Sequence, residues 1–413
     1  MMLYYKNILL LLGPEIIVTP LAIKYATQWY GSVLVLLAVL ISFFTVYLFY
    51  RINLQAQFDS IYEIAWRFGG NSLRTFTKVI QMVYNIVQIA VYITLISAFL
   101  EFLLNNARGD QVHGVWWTSN ATLKVGIHFV VFVFSVLSSF PLLTKLLVHS
   151  RLMTLFCYIA LLVSAVGHLS YFNTMEEHDA IKTELARKYF SVGDGVSIFP
   201  FFICIFATHN NLSLISPSID ASNKVKFSAL ISALFTIGIY AIIYGNVVYS
   251  TLYGQTHAIP MLFYPPEFYD SNNALFAIDA IVASLFIAAF ILAIPSQFTF
   301  IHDMIDEQYF SEWQPSVLRH SIICFIFTSF SGLLASLFWM DDILIEFNGV
   351  CGVILIYFLP GVICLVYGEK SKWLVVGSVI VILLGVMFFA IGVVYFFLSL
   401  VLDVSDTIAS AFN

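Results

Sequence analysis

The chain has 413 residues, of which 61% are hydrophobic and only 10% charged, with a mean hydropathy of +0.93. A soluble domain carries about 25% charged residues, so a single water-soluble core is excluded and the chain reads as an all-α polytopic protein of the lipid bilayer. The net charge of -6 is not gathered into any Lys/Arg-rich face, which argues against nucleic acid as a partner.

Runs of about 20 apolar residues fit the bilayer core. They predict about eleven transmembrane helices, roughly 8–27, 32–50, 76–104, 124–143, 149–170, 195–217, 227–253, 273–297, 318–339, 343–367 and 373–402. No linker marks a second domain. The first run is broken in its middle by Gly13-Pro14-Glu15. Gly-Pro cannot continue a regular helix, and a carboxylate within a span is costly. The run lacks a small-residue cleavage site and is expected to remain as the first span.

Between spans two and three, Ile61, Ile64, Ala65 and Phe68 recur at helical spacing with Asp59, Glu63 and Arg67 between them. This predicts a short amphipathic helix on the inner membrane face or an ordinary solvated loop helix, closed by Gly69-Gly70. Asn120-Ala121-Thr122 is a glycosylation sequon in a loop, only a few residues from span four and too near the bilayer to be a favoured acceptor. Span six is interrupted by Thr208-His209-Asn210-Asn211. Two broken spans at matching places in two halves point to a transporter binding site built from inverted repeats.

Asp279 in span eight is an intramembrane acid, which is a functional hypothesis by default. Glu101 and Glu346 lie near span edges, where a solvated or headgroup location suits them. Cys157, Cys204, Cys324, Cys351 and Cys364 all fall in apolar runs, with no metal-ligand spacing, so neither a disulfide framework nor a metal site is expected. Lys and Arg favour one side two to one when the N-terminus is placed in the cytosol. With an odd span number, the C-terminus then lies outside.

Read in order, these segments resemble the amino acid/auxin permease family, within the amino acid–polyamine–organocation superfamily, and look closest to its neutral amino acid transporter branch. Gly13-Pro14-Glu15-Ile16-Ile17-Val18-Thr19-Pro20 is similar to the family's Gly-x-Gly-Ile-Leu-x-x-Pro run. Ile61 to Gly69 resembles its "YEELAxxxFG" stretch, and Phe206-Ala207-Thr208-His209-Asn210 its "FxCHP". Asn85 and Tyr92 stand where the branch often has Asn and Tyr. Pro295 and Phe358-Leu359-Pro360-Gly361 match prolines of spans eight and ten. The resemblance implies two inverted five-helix repeats, at 1–172 and 193–368, and one additional helix at 373–402. It also implies secondary active transport of amino acids or related small amines, with substrate held at the breaks of spans one and six. The substrate-binding residues would be Gly13, Pro14, Glu15, Ile16, Asn85, Phe206, Ala207, His209 and Asn210.

The chain departs from the family at Glu15, which replaces its second glycine. Three readings stand together. Glu15 carries a coupling proton, or it binds the amine of a cationic substrate, or it is structural and hydrogen-bonded to span six. His209 is its expected partner, either passing a proton or forming an interhelical hydrogen bond. Leu9-Leu10-Leu11-Leu12 occupies the place where sodium-coupled relatives carry Asn, so H+ is favoured over Na+ as coupling ion. Ser296 and Asp279 complete the candidate coupling groups. No cofactor and no enzymatic chemistry is expected. The rival reading is a non-transporting sensor or membrane subunit that keeps the fold and acts with a membrane complex partner. Plasma membrane and vacuolar or lysosomal membrane are equally compatible.

Overall fold

The computed structural model describes residues 8, 13–26, 28–56, 61–108, 120–137, 141–173, 202, 205–206, 223–252, 273–314, 316–337, 349–367 and 371–412. Among these residues all regular structure is helical, with no strand. A backbone in hydrocarbon must satisfy every N–H and C=O internally, and the helix does so within one segment.

After an extended Gly13, a 3₁₀ turn at Pro14–Val18 leads directly into α1 (Thr19–Ala26). Pro20 sits at the second residue of α1, directly after the 3₁₀ turn. The following helices are α2 (Gln28–Ala56), α3 (Ile61–Arg108), α4 (Asn120–Leu137), α5 (Pro141–Phe172) and α6 (Asn223–Leu252). Then come α7 (Asn273–Tyr309), α8 (Val317–Leu337), α9 (Leu359–Tyr367) and α10 (Lys372–Phe412). Among the described residues, eight helices are long and apolar enough to cross a membrane, and Thr122–Leu137 is a shorter apolar helix. The protein is therefore an all-α polytopic membrane protein.

The amphipathic segment ends at Gly69-Gly70, as its sequence predicts. Gly70 itself is non-helical (φ 67, ψ -163), a conformation essentially restricted to glycine, and it separates two helical stretches of α3, the second of which is span three. The amphipathic part buries Ile61, Ile64 and Ala65 and exposes Trp66 and Arg67, as its spacing predicts. Asn120 lies not in a loop but at the first residue of α4. In span ten a π-helical turn at Ile354–Phe358 precedes α9 and Pro360. Proline cannot donate a hydrogen bond, and a widened turn is one way for a helix to absorb it.

The chain forms two compact units that interleave in sequence. The first comprises residues 1–84, 189–243 and 345–413, the second 85–188 and 244–344. In the first unit Phe227 of α6 packs among Phe43, Tyr47 and Tyr50 of α2. Gly238 lets α6 approach Val39 closely, since a Cβ there would lie 2.5 Å from Cγ2 of Val39. Small residues of this kind allow the close backbone approach on which helix association in lipid depends.

In the second unit α7 packs most extensively on α5. An aromatic ladder runs along α7. Phe276 meets Phe102, Phe286 stacks on Phe99 at 5.4 Å and meets Tyr158 edge-on at 5.2 Å, and Phe290 meets Tyr92 at 5.1 Å. These pairings run α3 and α5 antiparallel to α7. On the other flank, His320 of α8 reaches Ser135 of α4, and Gly332 of α8 lies against His128 of α4.

Candidate functional site

Most hydroxyls in the spans turn back onto their own helix. Thr45, Ser135, Thr236, Ser284 and Thr328 each donate to a carbonyl three or four residues earlier. Such bonds satisfy a hydroxyl without a partner helix. Side chains that instead reach across to another helix are the informative ones.

In the first unit, the break of span one is a local backbone feature. Gly13 has φ -94 and ψ 166, and the Ile16 N–H reaches the Gly13 carbonyl at 3.4 Å. The Thr19 hydroxyl caps the Ile16 carbonyl at 2.8 Å. Ile16, Ile17, Val18 and Thr19 are completely buried. Pro14 and Glu15 lie in the 3₁₀ turn, but their side chains are outside the described residues. Phe206 is completely buried, with its ring close to Gly238. Ala207, His209 and Asn210 fall outside the described residues, so the expected Glu15–His209 pairing does too.

In the second unit, Asn85, Gln88 and Tyr92 recur at helical spacing on one face of α3, and all are buried. The Ser331 hydroxyl of α8 donates to the Ile86 carbonyl at 3.1 Å beside them. Pro295 lies inside α7, where it withholds one backbone hydrogen bond from the helix. Ser296 follows it, with its side chain outside the description. Asn120 is likewise placed only by its backbone.

Asp279 has a defined environment. It lies in the second turn of α7, fully buried. Ser164 and His168 stand four residues apart on α5 and therefore on one face. The Ser164 hydroxyl donates to Asp279 Oδ1 in a short hydrogen bond, and His168 Nε2 lies 2.7 Å from Oδ2. Both carboxylate oxygens are thus engaged from successive turns of one helix. The His168 and Asp279 side chains are each 0% exposed. Tyr244 of α6, also fully buried, lies within range of the Asp279 charge.

The intramembrane acid was visible in the sequence, and its partners were not. The available signal was a second polar residue type, His168, inside span five with Ser164 one turn before it. Only folding joins them to Asp279, 115 and 111 residues away.

At the other end of α7, His302 Nε2 lies 3.4 Å from Asp306 Oδ2, and Arg319 Nε of α8 lies 3.0 Å from Asp306 Oδ1. The imidazoles of His302 and His320 meet edge-to-face at 4.7 Å. Among the described residues no group of three or more His, Cys, Asp or Glu side chains is arranged to hold a metal ion.

Residues 7–401 match the family model described as transmembrane amino acid transporter protein. No curated protein matches the sequence significantly. Among solved structures, the chain is similar to a Na+-coupled sialic acid symporter in a substrate-bound, outward-open state. The TM-score is 0.54 at 11% identity, covering 95% of this chain and 90% of that one. At that identity the likeness concerns the fold.

Proposed function

The chain belongs to the transmembrane amino acid transporter family, and we propose that it is a proton-coupled secondary active transporter of amino acids or related small amines. The observation that carries this reading is the extended backbone of Gly13, half-buried and followed by a 3₁₀ turn and the completely buried residues Ile16 to Thr19, at the place where the sequence breaks its first apolar run. A helix broken inside a membrane leaves backbone N–H and C=O groups without helical partners, and such a break is tolerated where it lines a cavity. The N–H groups suit a substrate carboxylate and the carbonyls suit an amine or a cation.

Gly13, Pro14, Glu15 and Ile16 are the assigned contacts from span one. Phe206, Ala207, His209 and Asn210 are their counterparts from span six. Glu15 and His209 are candidate proton carriers. The interleaving of the two compact units supports the inverted-repeat reading, because each unit draws helices from both halves of the chain. Transport then proceeds by alternating access around the two breaks.

The direct test is uptake of a radiolabelled amino acid panel into proteoliposomes with an imposed pH gradient. Proton-coupled transport gives accumulation that a protonophore abolishes. Folded protein that moves no substrate would instead favour a sensor or subunit role, for which the Glu15 replacement is the motivating observation. Glu15→Gln separates the roles of that residue: an unchanged pH dependence removes it from the proton path.

A further inference from the structure

We infer that His168, Asp279 and Ser164, all in the second compact unit, form the binding site of the coupling proton. The inference rests on the proton-coupled reading above and names the site that reading requires.

The geometry fixes the proton's place. A carboxylate accepts, so Ser164 Oγ donates to Oδ1 and His168 donates to Oδ2 through Nε2–H. With Nε2 carrying that hydrogen, the lone pair of a neutral imidazole is on Nδ1. A proton from water on one side of the membrane adds to this lone pair and gives an imidazolium beside the Asp279 carboxylate. Loss of the same proton to the other side restores the neutral ring. No other bond forms or breaks, and the local charge changes by one unit.

That change matters because the pair is wholly buried. An uncompensated charge away from water is costly, so loading the site and closing it to water favour one another. Packing does not call for a carboxylate here. The Phe99, Phe286 and Tyr158 rings already join α3, α5 and α7. A buried ion pair is often no more stabilising than apolar residues of the same volume. Among the described residues, Tyr244 of α6 lies within range of the Asp279 charge, and Glu101 of α3 adjoins Phe102, whose ring meets Phe276 one turn before Asp279.

The test uses full-length protein with the double substitution His168→Gln and Asp279→Asn, which keeps side-chain size and removes both titrating groups. In proteoliposomes, one proton moving down a one-unit pH gradient can concentrate substrate about ten-fold. The double variant is expected to lose that accumulation while still exchanging labelled for unlabelled substrate across the membrane. Accumulation at the wild-type level, with the wild-type pH profile, overturns the inference.

A second measurement is independent of transport: the protons taken up by purified protein on acidification, wild type against double variant. The site predicts one additional proton per wild-type chain, and equal uptake overturns it. Wild-type protein that accumulates nothing would defeat the transport reading alone, because the proton count still decides the site.

Discussion

The second compact unit carries two histidine–aspartate clusters at opposite ends of α7, and they differ in what neutralises the acid. His168 and Asp279 are 0% exposed, whereas His302 and Asp306 are 19% and 23% exposed. Asp306 also faces Arg319, whose Nη2 donates to Oδ2 at 3.2 Å and whose Nε lies 3.0 Å from Oδ1. A guanidinium keeps its charge at any physiological pH. Asp306 therefore retains a cation whether or not His302 is protonated, and its cluster ties α7 to α8. Asp279 has an imidazole and a hydroxyl against its two oxygens, so the charge of this cluster changes when the imidazole titrates. The same residue pair is a fastening at one end and a proton site at the other, according to burial and to a permanent cation.

The largest expected effect breaks the buried pair from one side. His168→Leu leaves Asp279 without its imidazole and is expected to destabilise the protein by about 3–5 kcal/mol. Adding Asp279→Val should return most of that loss, since Ser164 can then bond back to its own helix as the other hydroxyls do. Thermal unfolding of the single and double variants in detergent measures both. A double variant as unstable as the single one would make the pair a structural fastening and erase the contrast.

Phe286→Ala follows, with an expected cost of about 3 kcal/mol. Phe286 is fully buried between Phe99 and Tyr158. If packing rather than the ion pair joins α5 to α7, this substitution lowers stability while the proton count of the His168–Asp279 site stays at its wild-type value. Loss of that proton together with the ring would show that the pair depends on the ladder.

Much of this architecture was legible in the sequence because lipid imposes strong rules. Long apolar runs have no stable alternative to helix. Gly13-Pro14 announced a break, since neither residue favours a regular helix, and the backbone is extended at Gly13. Gly69-Gly70 announced the end of the amphipathic helix for the same reason, and the backbone leaves the helix at Gly70. The chain bends through Gly70 and resumes because α3 has a deeply buried apolar face to satisfy beyond it. The π turn before Pro360 depends on how one helix accommodates a missing donor, which composition does not encode. Asp279 stood out as a costly residue, yet its partners come from a helix more than a hundred residues earlier, and no local pattern links them. Tyr92 illustrates the middle case: its place on the α3 face follows from helical spacing, and its contact with Phe290 follows only from packing.

The smallest expected effect lies at the exposed end. Asp306→Asn removes the carboxylate shared by His302 and Arg319. Arg319 is partly solvated and its charge screened, so the expected loss is about 0.5–1 kcal/mol and shrinks as salt is raised. Unfolding at low and high ionic strength measures it. At the buried pair, where water and counterions are excluded, the penalty of His168→Leu should be nearly independent of salt. Equal salt sensitivity at the two ends would mean that water reaches Asp279, in which case its charge would not depend on the His168 proton.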